Sequence, residues 1–236
     1  LSEIEARIGA LDWDGLNADL DGQGFAVVPD LLRMDECDGV KALYENEALF
    51  RKKVVMARHD YGRGEYQYFA YPLPSLVERM RTEFFRHLAL VANRWCGMLG
   101  QAPKFPDRLR EFLAQCHGAG QVRPTPLILK YGEGDFNRLH RDLYGEWQFP
   151  LQVVFLLDEP GKDFEGGELV LVEQKPRSQS KAEVIPMRKG TAVIFAVSEC
   201  PRMGVRGYRK LKLSHGVSRI RAGSRHTLGL IFHDAQ

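Results

Sequence analysis

Leu211-Lys212-Leu213-Ser214-His215-Gly216-Val217 and, ten residues beyond its histidine, Arg225-His226-Thr227-Leu228-Gly229-Leu230-Ile231-Phe232 decide how this chain is read. Both runs alternate Leu, Val, Ile or Phe with polar or small residues, the two-residue period of a strand with one buried face. Ala222-Gly223 between them is a turn pair. Working toward the amino terminus, similar runs recur at 125–131, 149–157, 168–173, 182–186 and 191–197. Gly132-Glu133-Gly134, Glu159-Pro160-Gly161 and Lys189-Gly190 punctuate them. Many short strands at regular spacing predict a barrel or sandwich.

Before Gly118 the pattern is different. Ile4, Ile8 and Leu11 have helical spacing, and 16–20 adds another turn. Gly22-Gln23-Gly24 ends it, Phe25-Ala26-Val27-Val28-Pro29 reads as a short strand, and 34–44 returns to helix. Leu76, Met80, Phe84, His87, Leu88, Val91 and Trp95 mark a long amphipathic helix, with Ser75 as N-cap and Glu78 closing a capping box. A last helix is expected over 107–117. The expected fold is α+β: a jelly-roll or cupin-like barrel over 121–236, buttressed by a mainly helical N-terminal part over 1–120, in one domain of 236 residues.

Hydrophobic content of 44% with 27% charged residues is ordinary globular composition. No apolar run is long enough to span a membrane, and 1–13 lacks the apolar core of a secretory signal. Four scattered cysteines without a C-x-x-C pair suggest reduced thiols in a cytoplasmic protein. Net charge is +2, but residues 170–225 hold thirteen Lys/Arg against three Glu, so the rest is net acidic. No obligate protein partner is visible.

The chemistry-bearing residues lie in the strand-rich half. His140-Arg141-Asp142 is an H-x-D pair, and i and i+2 of a strand share a face, so His140 and Asp142 can hold one metal. His215 supplies a third ligand from a distant strand. Two imidazoles and one carboxylate form the facial triad that leaves open positions on non-haem Fe(II). If 217–220 and 225–231 form a hairpin turning at Ala222 or Gly223, Arg225 shares the face of His215, roughly 13–20 Å away. A five-carbon diacid such as 2-oxoglutarate together with the Arg side chain fills about that gap, and Arg offers the planar fork that binds the far carboxylate. Thr227 lies on the same face and can add a hydroxyl. His226, Leu228, Leu230 and Phe232 then face the helices.

The segment from Ile128 to Phe232 resembles the double-stranded β-helix core of the Fe(II)- and 2-oxoglutarate-dependent oxygenases, particularly the prolyl-4-hydroxylase-like branch. The matching pieces are Lys130-Tyr131, His140-x-Asp142, a hairpin Phe164-Glu165-Gly166-Gly167-Glu168-Leu169, the strand Gly190 to Phe195, and His215-x-Val217 with Gly223-x-Arg225. The resemblance implies Fe(II), 2-oxoglutarate and O2 as reactants, and Tyr131 as a hydrogen-bond donor to a co-substrate carboxylate. The whole length is also similar to a small bacterial group of oxygenases described as acting on damaged nucleic acid. It departs from the AlkB-type demethylases, which carry Asn where Leu129 stands and a second Arg where Ile231 stands.

Two substrate classes stay open. One is an N-alkyl group on a nucleobase of alkylated or single-stranded nucleic acid. The other is a peptidyl or free amino-acid side chain. A non-enzymatic cupin-like binding module is disfavoured by the complete ligand set. The aromatic stretch 61–72, with Arg63, Tyr66 and Tyr68, could form a lid or stacking wall over the site, or simply be a packed loop. Basic residues from Arg202 to Lys212, including Arg206 and Arg209, lead into the His215 strand and are expected at one rim as a nucleic-acid footprint, or else as a solvated loop. His59, His87, His117, His226 and His233 read as structural or surface histidines, and Gly62-Arg63-Gly64 is no dinucleotide fingerprint.

Overall fold

The computed structural model describes residues 2–142, 145–175 and 179–236. The N-terminal part contains α1 (Glu3–Gly9), α2 (Trp13–Gln23), β1 (Phe25–Val28), α3 (Met34–Ala42), β2 (Phe50–Val55), β3 (Gly62–Arg63), β4 (Glu65–Phe69), α4 (Ser75–Met98) and α5 (Leu109–Gly118). The remainder is strands: β5 (Leu127–Tyr131), β6 (Phe136–His140), β7 (Leu151–Leu156), β8 (Phe164–Gly166), β9 (Leu169–Gln174), β10 (Lys181–Ile185), β11 (Ala192–Ala196), β12 (Glu199–Gly204), β13 (Gly207–Val217), β14 (Ile220–Gly223) and β15 (Arg225–Leu230).

These strands build two antiparallel sheets. The larger runs β1-β11-β7-β15-β5-β4-β2, and the smaller runs β10-β9-β13-β6-β3 with β12 added to β13. A two-stranded piece, β14-β8, lies between them in the chain path. Residues from both sheets line one cavity, which makes the arrangement a double-stranded β-helix.

Alternation on β15 gives the larger sheet two different faces. Leu228 and Leu230 join the core on the helix side, with Phe155 packed edge-on against Phe84 of α4 at 6.0 Å. Phe85 contacts Phe149 at 5.0 Å and Phe232 at 6.0 Å. Each such fully buried aromatic contributes about 1.5–3 kcal/mol of transfer free energy. Arg81 of α4 adds a polar clamp: almost wholly buried, it donates to the carbonyls of Ile231 and Phe232 at 2.9 and 3.0 Å and to Asp234 at 2.9 Å. His117 approaches the other Asp234 oxygen at 2.8 Å. The helices are thereby tied to the strand that carries Arg225 and Thr227.

Several expectations are corrected. The 1–120 part is less helical than its pattern suggests, because β2 and β4 extend the larger sheet and β3 the smaller. β2 is an edge strand with exposed Lys52 and Lys53, a composition that protects an edge but hides the strand period. Ser75 is the first residue of α4 rather than its cap: Pro74 occupies the cap position, and no capping side chain bonds there. Phe164–Leu169 is not a hairpin, since β8 pairs with β14 while β9 pairs with β10 and β13. Nor do β13 and β15 form one, as they belong to opposite sheets. All four cysteines are free and buried, and no described helix is long and apolar enough to cross a membrane.

Candidate metal and co-substrate site

The ligand triad forms where two strands of the smaller sheet meet. His140 ends β6 and His215 is its direct register partner on β13, with ring centroids 4.2 Å apart. Asp142 lies just beyond the strand, not on it, so strand periodicity is not what aligns it. Its backbone N–H donates to the Val197 carbonyl at 3.3 Å, and the carboxylate points at both imidazoles. Oδ1 is 3.7 Å from Nε2 of His140 and Oδ2 is 3.4 Å from Nε2 of His215. One donor atom from each of the three residues lies within 4.8 Å of the others.

Neighbouring groups prepare these donors. Nδ1 of His140 is 2.8 Å from the Arg138 carbonyl. A carbonyl only accepts, so Nδ1 carries the proton and Nε2 presents its lone pair to the site. Burial, reinforced by His215, pushes the His140 pKa down and favours the neutral ring. Burial pushes the Asp142 carboxyl up, but His215, His140 and Gln152 outweigh it and hold it below its ordinary value. A neutral imidazole and an ionised carboxylate are the forms a metal binds. Gln152 reaches across from β7, its amide nitrogen 3.2 Å from Nε2 of His215, and Phe195 packs edge-on against the His215 ring at 4.9 Å.

A second group of residues faces the same cavity from the larger sheet. Arg225 on β15 is the register partner of Tyr131 on β5, and its guanidinium lies 5.8 Å from the Tyr131 ring and 5.9 Å from Phe164. Both side chains are at most 2% exposed. Even so, Nε and Nη1 of Arg225 and the hydroxyl of Tyr131 have no hydrogen-bond partner. Burial drives the Arg225 pKa down, and it drives that of Tyr131 up against the opposing effect of the Arg225 charge. Leaving a buried donor unsatisfied costs about 1–3 kcal/mol. A converging set of three such donors fits a carboxylate that completes them. Thr227 also lines the cavity, which measures about 560 Å³ and joins Arg225 to the metal triad.

Two glycines keep this cradle open. Gly167 has φ +64°, and a Cβ there would strike Ile220 and come within 2.8 Å of Cδ of Arg225. Gly64, at φ +118°, would place a Cβ 2.8 Å from the Tyr131 ring. The double glycine therefore serves the passage between sheets and the fit of Arg225, not a hairpin turn.

The other predicted residues divide. Tyr66 and Tyr68, two apart on β4, line the cavity with rings at 85° and 5.3 Å, and Arg51 lies over Tyr68 at 4.6 Å. This stretch is a strand, not a lid loop. Arg63 on β3 is exposed and is not among the cavity-lining residues. Arg206 and Arg209 belong to the β12–β13 ribbon. They precede His215 by nine and six residues, about 30 and 20 Å along a strand, so they project well beyond the rim expected from sequence. Arg138 and Leu139 at the cavity wall were not singled out in the sequence. Neither was Gln152, although a lone Gln inside the apolar run Phe149–Leu157 is a readable signal.

Fold and site together define a member of the Fe(II)- and 2-oxoglutarate-dependent oxygenase superfamily. A prolyl-4-hydroxylase of Pseudomonas putida superposes with a TM-score of 0.57 at 15% identity, covering 94% of this chain and 100% of that one. The Trichoplax adhaerens prolyl hydroxylase, solved with a hypoxia-inducible-factor peptide, gives 0.57 at 17%, covering 98% and 92%. At these identities the likeness is one of fold. The chain belongs to the oxygenase family described as catalysing oxidative methylation of damaged DNA, whose model matches residues 64–235. A Mycobacterium tuberculosis relative, the uncharacterized protein Rv2227, is 42% identical over 194 residues, covering 80% of this chain and 83% of its own.

Proposed function

We propose that this oxygenase binds Fe(II) through His140, Asp142 and His215, holds 2-oxoglutarate with Arg225, Tyr131 and Thr227, and oxidises an N-alkyl group on damaged nucleic acid. The observation that carries the cofactor reading is the pairing, in one cavity, of a three-donor metal cluster with buried donors that lack any acceptor. When bound, iron and 2-oxoglutarate supply an oxidation by O2 in which the co-substrate becomes succinate and CO2 while a C–H bond becomes C–OH. On an N-methyl group the product is an N-hydroxymethyl that releases formaldehyde and the free base. The family's oxidative chemistry is therefore read here as methyl removal.

The chain's own residues prepare the site for this. Arg138 fixes the His140 tautomer, Gln152 holds the Asp142–His215 pair, and Arg225 with Tyr131 offers donors to a distal carboxylate. Tyr66 and Tyr68 present aromatic surface on the cavity wall, suited to a planar base taken out of its stack. The family description favours nucleic acid over a peptidyl side chain, since a shared fold does not fix substrate. The test is succinate release from 2-oxoglutarate with a methylated oligonucleotide, the unmethylated oligonucleotide, or proline-containing peptides added. Stimulation by the methylated strand alone, with formaldehyde in equal amount, is the expected result. Stimulation by peptide alone would refute the substrate assignment and leave the cofactor assignment standing.

A further inference from the structure

A two-stranded ribbon leaves the body of the fold next to the metal ligands. On β13, Lys212 to Val217 pairs with β9, and His215 and Val217 also pair with β6. The earlier part, Gly207 to Leu211, pairs only with β12. Along 199–212 there are five cations, Arg202, Arg206, Arg209, Lys210 and Lys212, and one acid, Glu199. Arg202 approaches Glu173 at 3.5 Å and Lys210 approaches Glu199 at 3.0 Å. Among the described residues no acid pairs with Arg206, Arg209 or Lys212. The tip is also apolar: Met203 is 60% exposed, Val205 fully exposed and Tyr208 41% exposed, three of the ten large hydrophobics exposed on the described surface. Packing within the chain accounts for neither the free cations nor these side chains.

The ribbon is aligned with the site. Positions 209, 211, 213 and 215 share one face of β13. Leu211 and Leu213 are buried in the core and His215 faces the cavity, so Arg209 continues outward from the ligand's own face. We infer that the ribbon is a remote grip on the polynucleotide whose reactive base enters the cavity. Arg206 and Arg209 bind phosphates, and Met203, Val205 and Tyr208 rest against sugar and base surface. This inference rests on the nucleic-acid reading above. At about 3.3 Å per residue, Arg209 and Arg206 lie about 20 and 30 Å from His215. Duplex DNA presents one phosphate per strand every ~3.4 Å, so the grip falls about six to nine steps from the reacting base. Short substrates cannot reach it.

Length dependence is therefore the test. Binding of duplexes of about 8 and about 24 base pairs, each with one central methylated base, is measured by fluorescence anisotropy over a series of salt concentrations. The parent protein should hold the longer duplex at least tenfold more tightly at low salt. Arg206→Ala/Arg209→Ala should lose most of that advantage and about one to two units of log–log salt slope, at ~0.9 per phosphate. Its affinity for the short duplex should not change, and Arg206→Lys/Arg209→Lys should keep the advantage. An intact length advantage in the Ala variant, or an equal loss on both duplexes, would overturn the grip while the nucleic-acid reading survives. Absence of oligonucleotide binding by the parent protein would overturn both. Ribbon-dependent binding to phosphatidylserine vesicles without any effect on DNA would reassign the ribbon to a membrane surface.

Discussion

Replacing Arg225 by Met separates binding from stability in opposite directions. In the structure Arg225 is nearly inaccessible, its Nε and Nη1 have no acceptor, and its pKa is lowered by burial. Without ligand the guanidinium is thus a buried charge short of partners, and each unsatisfied donor costs about 1–3 kcal/mol. Methionine has similar length, no donors and no charge. The ligand-free variant should gain at least ~1 kcal/mol, which for a chain of this size raises Tm by about 2–4 °C. A bound carboxylate reverses the sign, because a hydrogen bond to a charged group is worth about 1.5–3 kcal/mol. Losing it weakens 2-oxoglutarate roughly tenfold to a hundredfold, at tenfold per 1.4 kcal/mol. Calorimetric titration of 2-oxoglutarate into the Mn(II)-loaded protein reads the affinity, and thermal melts without ligand read the stability. Metal affinity should stay near the parent value, since Arg225 touches none of the three ligands. Unchanged 2-oxoglutarate affinity, or a ligand-free Tm that falls, would show that Arg225 is satisfied by the protein and that the anchor lies elsewhere.

Other consequences follow from the same structure. Gly167→Ala places a methyl against Ile220 and Arg225 at a positive φ, so it should weaken 2-oxoglutarate binding and lower Tm together, as read by the same titration and melt. Asp234→Ala strips the buried Arg81 of its carboxylate and should cost about 3–5 kcal/mol in urea unfolding, where a loss under 1 kcal/mol would contradict the clamp. Burial and Arg81 depress the His233 pKa from 6.5 to about 4, and its Nδ1 accepts from the Phe149 N–H at 3.2 Å. The unfolded chain therefore binds this proton first. The contribution is complete above pH 6.5 and lost as pH falls toward 4, on the order of 3 kcal/mol in all. Unfolding curves between pH 7 and 4.5 should show that loss in the parent and much less of it in His233→Gln.

Much of the site could be read from spacing because its chemistry tolerates few residue types. His140, Asp142, His215 and Arg225 are each the residue that their role demands, and three of them, His140, His215 and Arg225, sit on strands, with Asp142 two residues past the end of one. What could not be read was the way they converge. A hairpin between β13 and β15 would also have brought His215 and Arg225 together, but the chain instead crosses from one sheet to the other, and only pairing partners distinguish the two. Periodicity was hidden in β2 by edge lysines and in β4 by Gln67, a polar residue on the buried side of the strand. The basic ribbon was legible as composition, whereas its projection beyond the rim depends on β12 pairing with β13. Gln152 stood out as a lone polar residue in an apolar run, but its role appears only when β7 faces His215 across the cavity.

The most direct test of the account is the Fe(II)-dependent conversion of 2-oxoglutarate to succinate under air, measured side by side in the parent protein and in Asp142→Ala. Removing the carboxylate leaves two imidazoles and too weak a site to retain the metal. The account predicts succinate formation in the parent that chelator abolishes and Fe(II) restores, and none above background in a variant whose circular dichroism matches the parent. Equal succinate formation by the two proteins, or none by the iron-loaded parent, would contradict it.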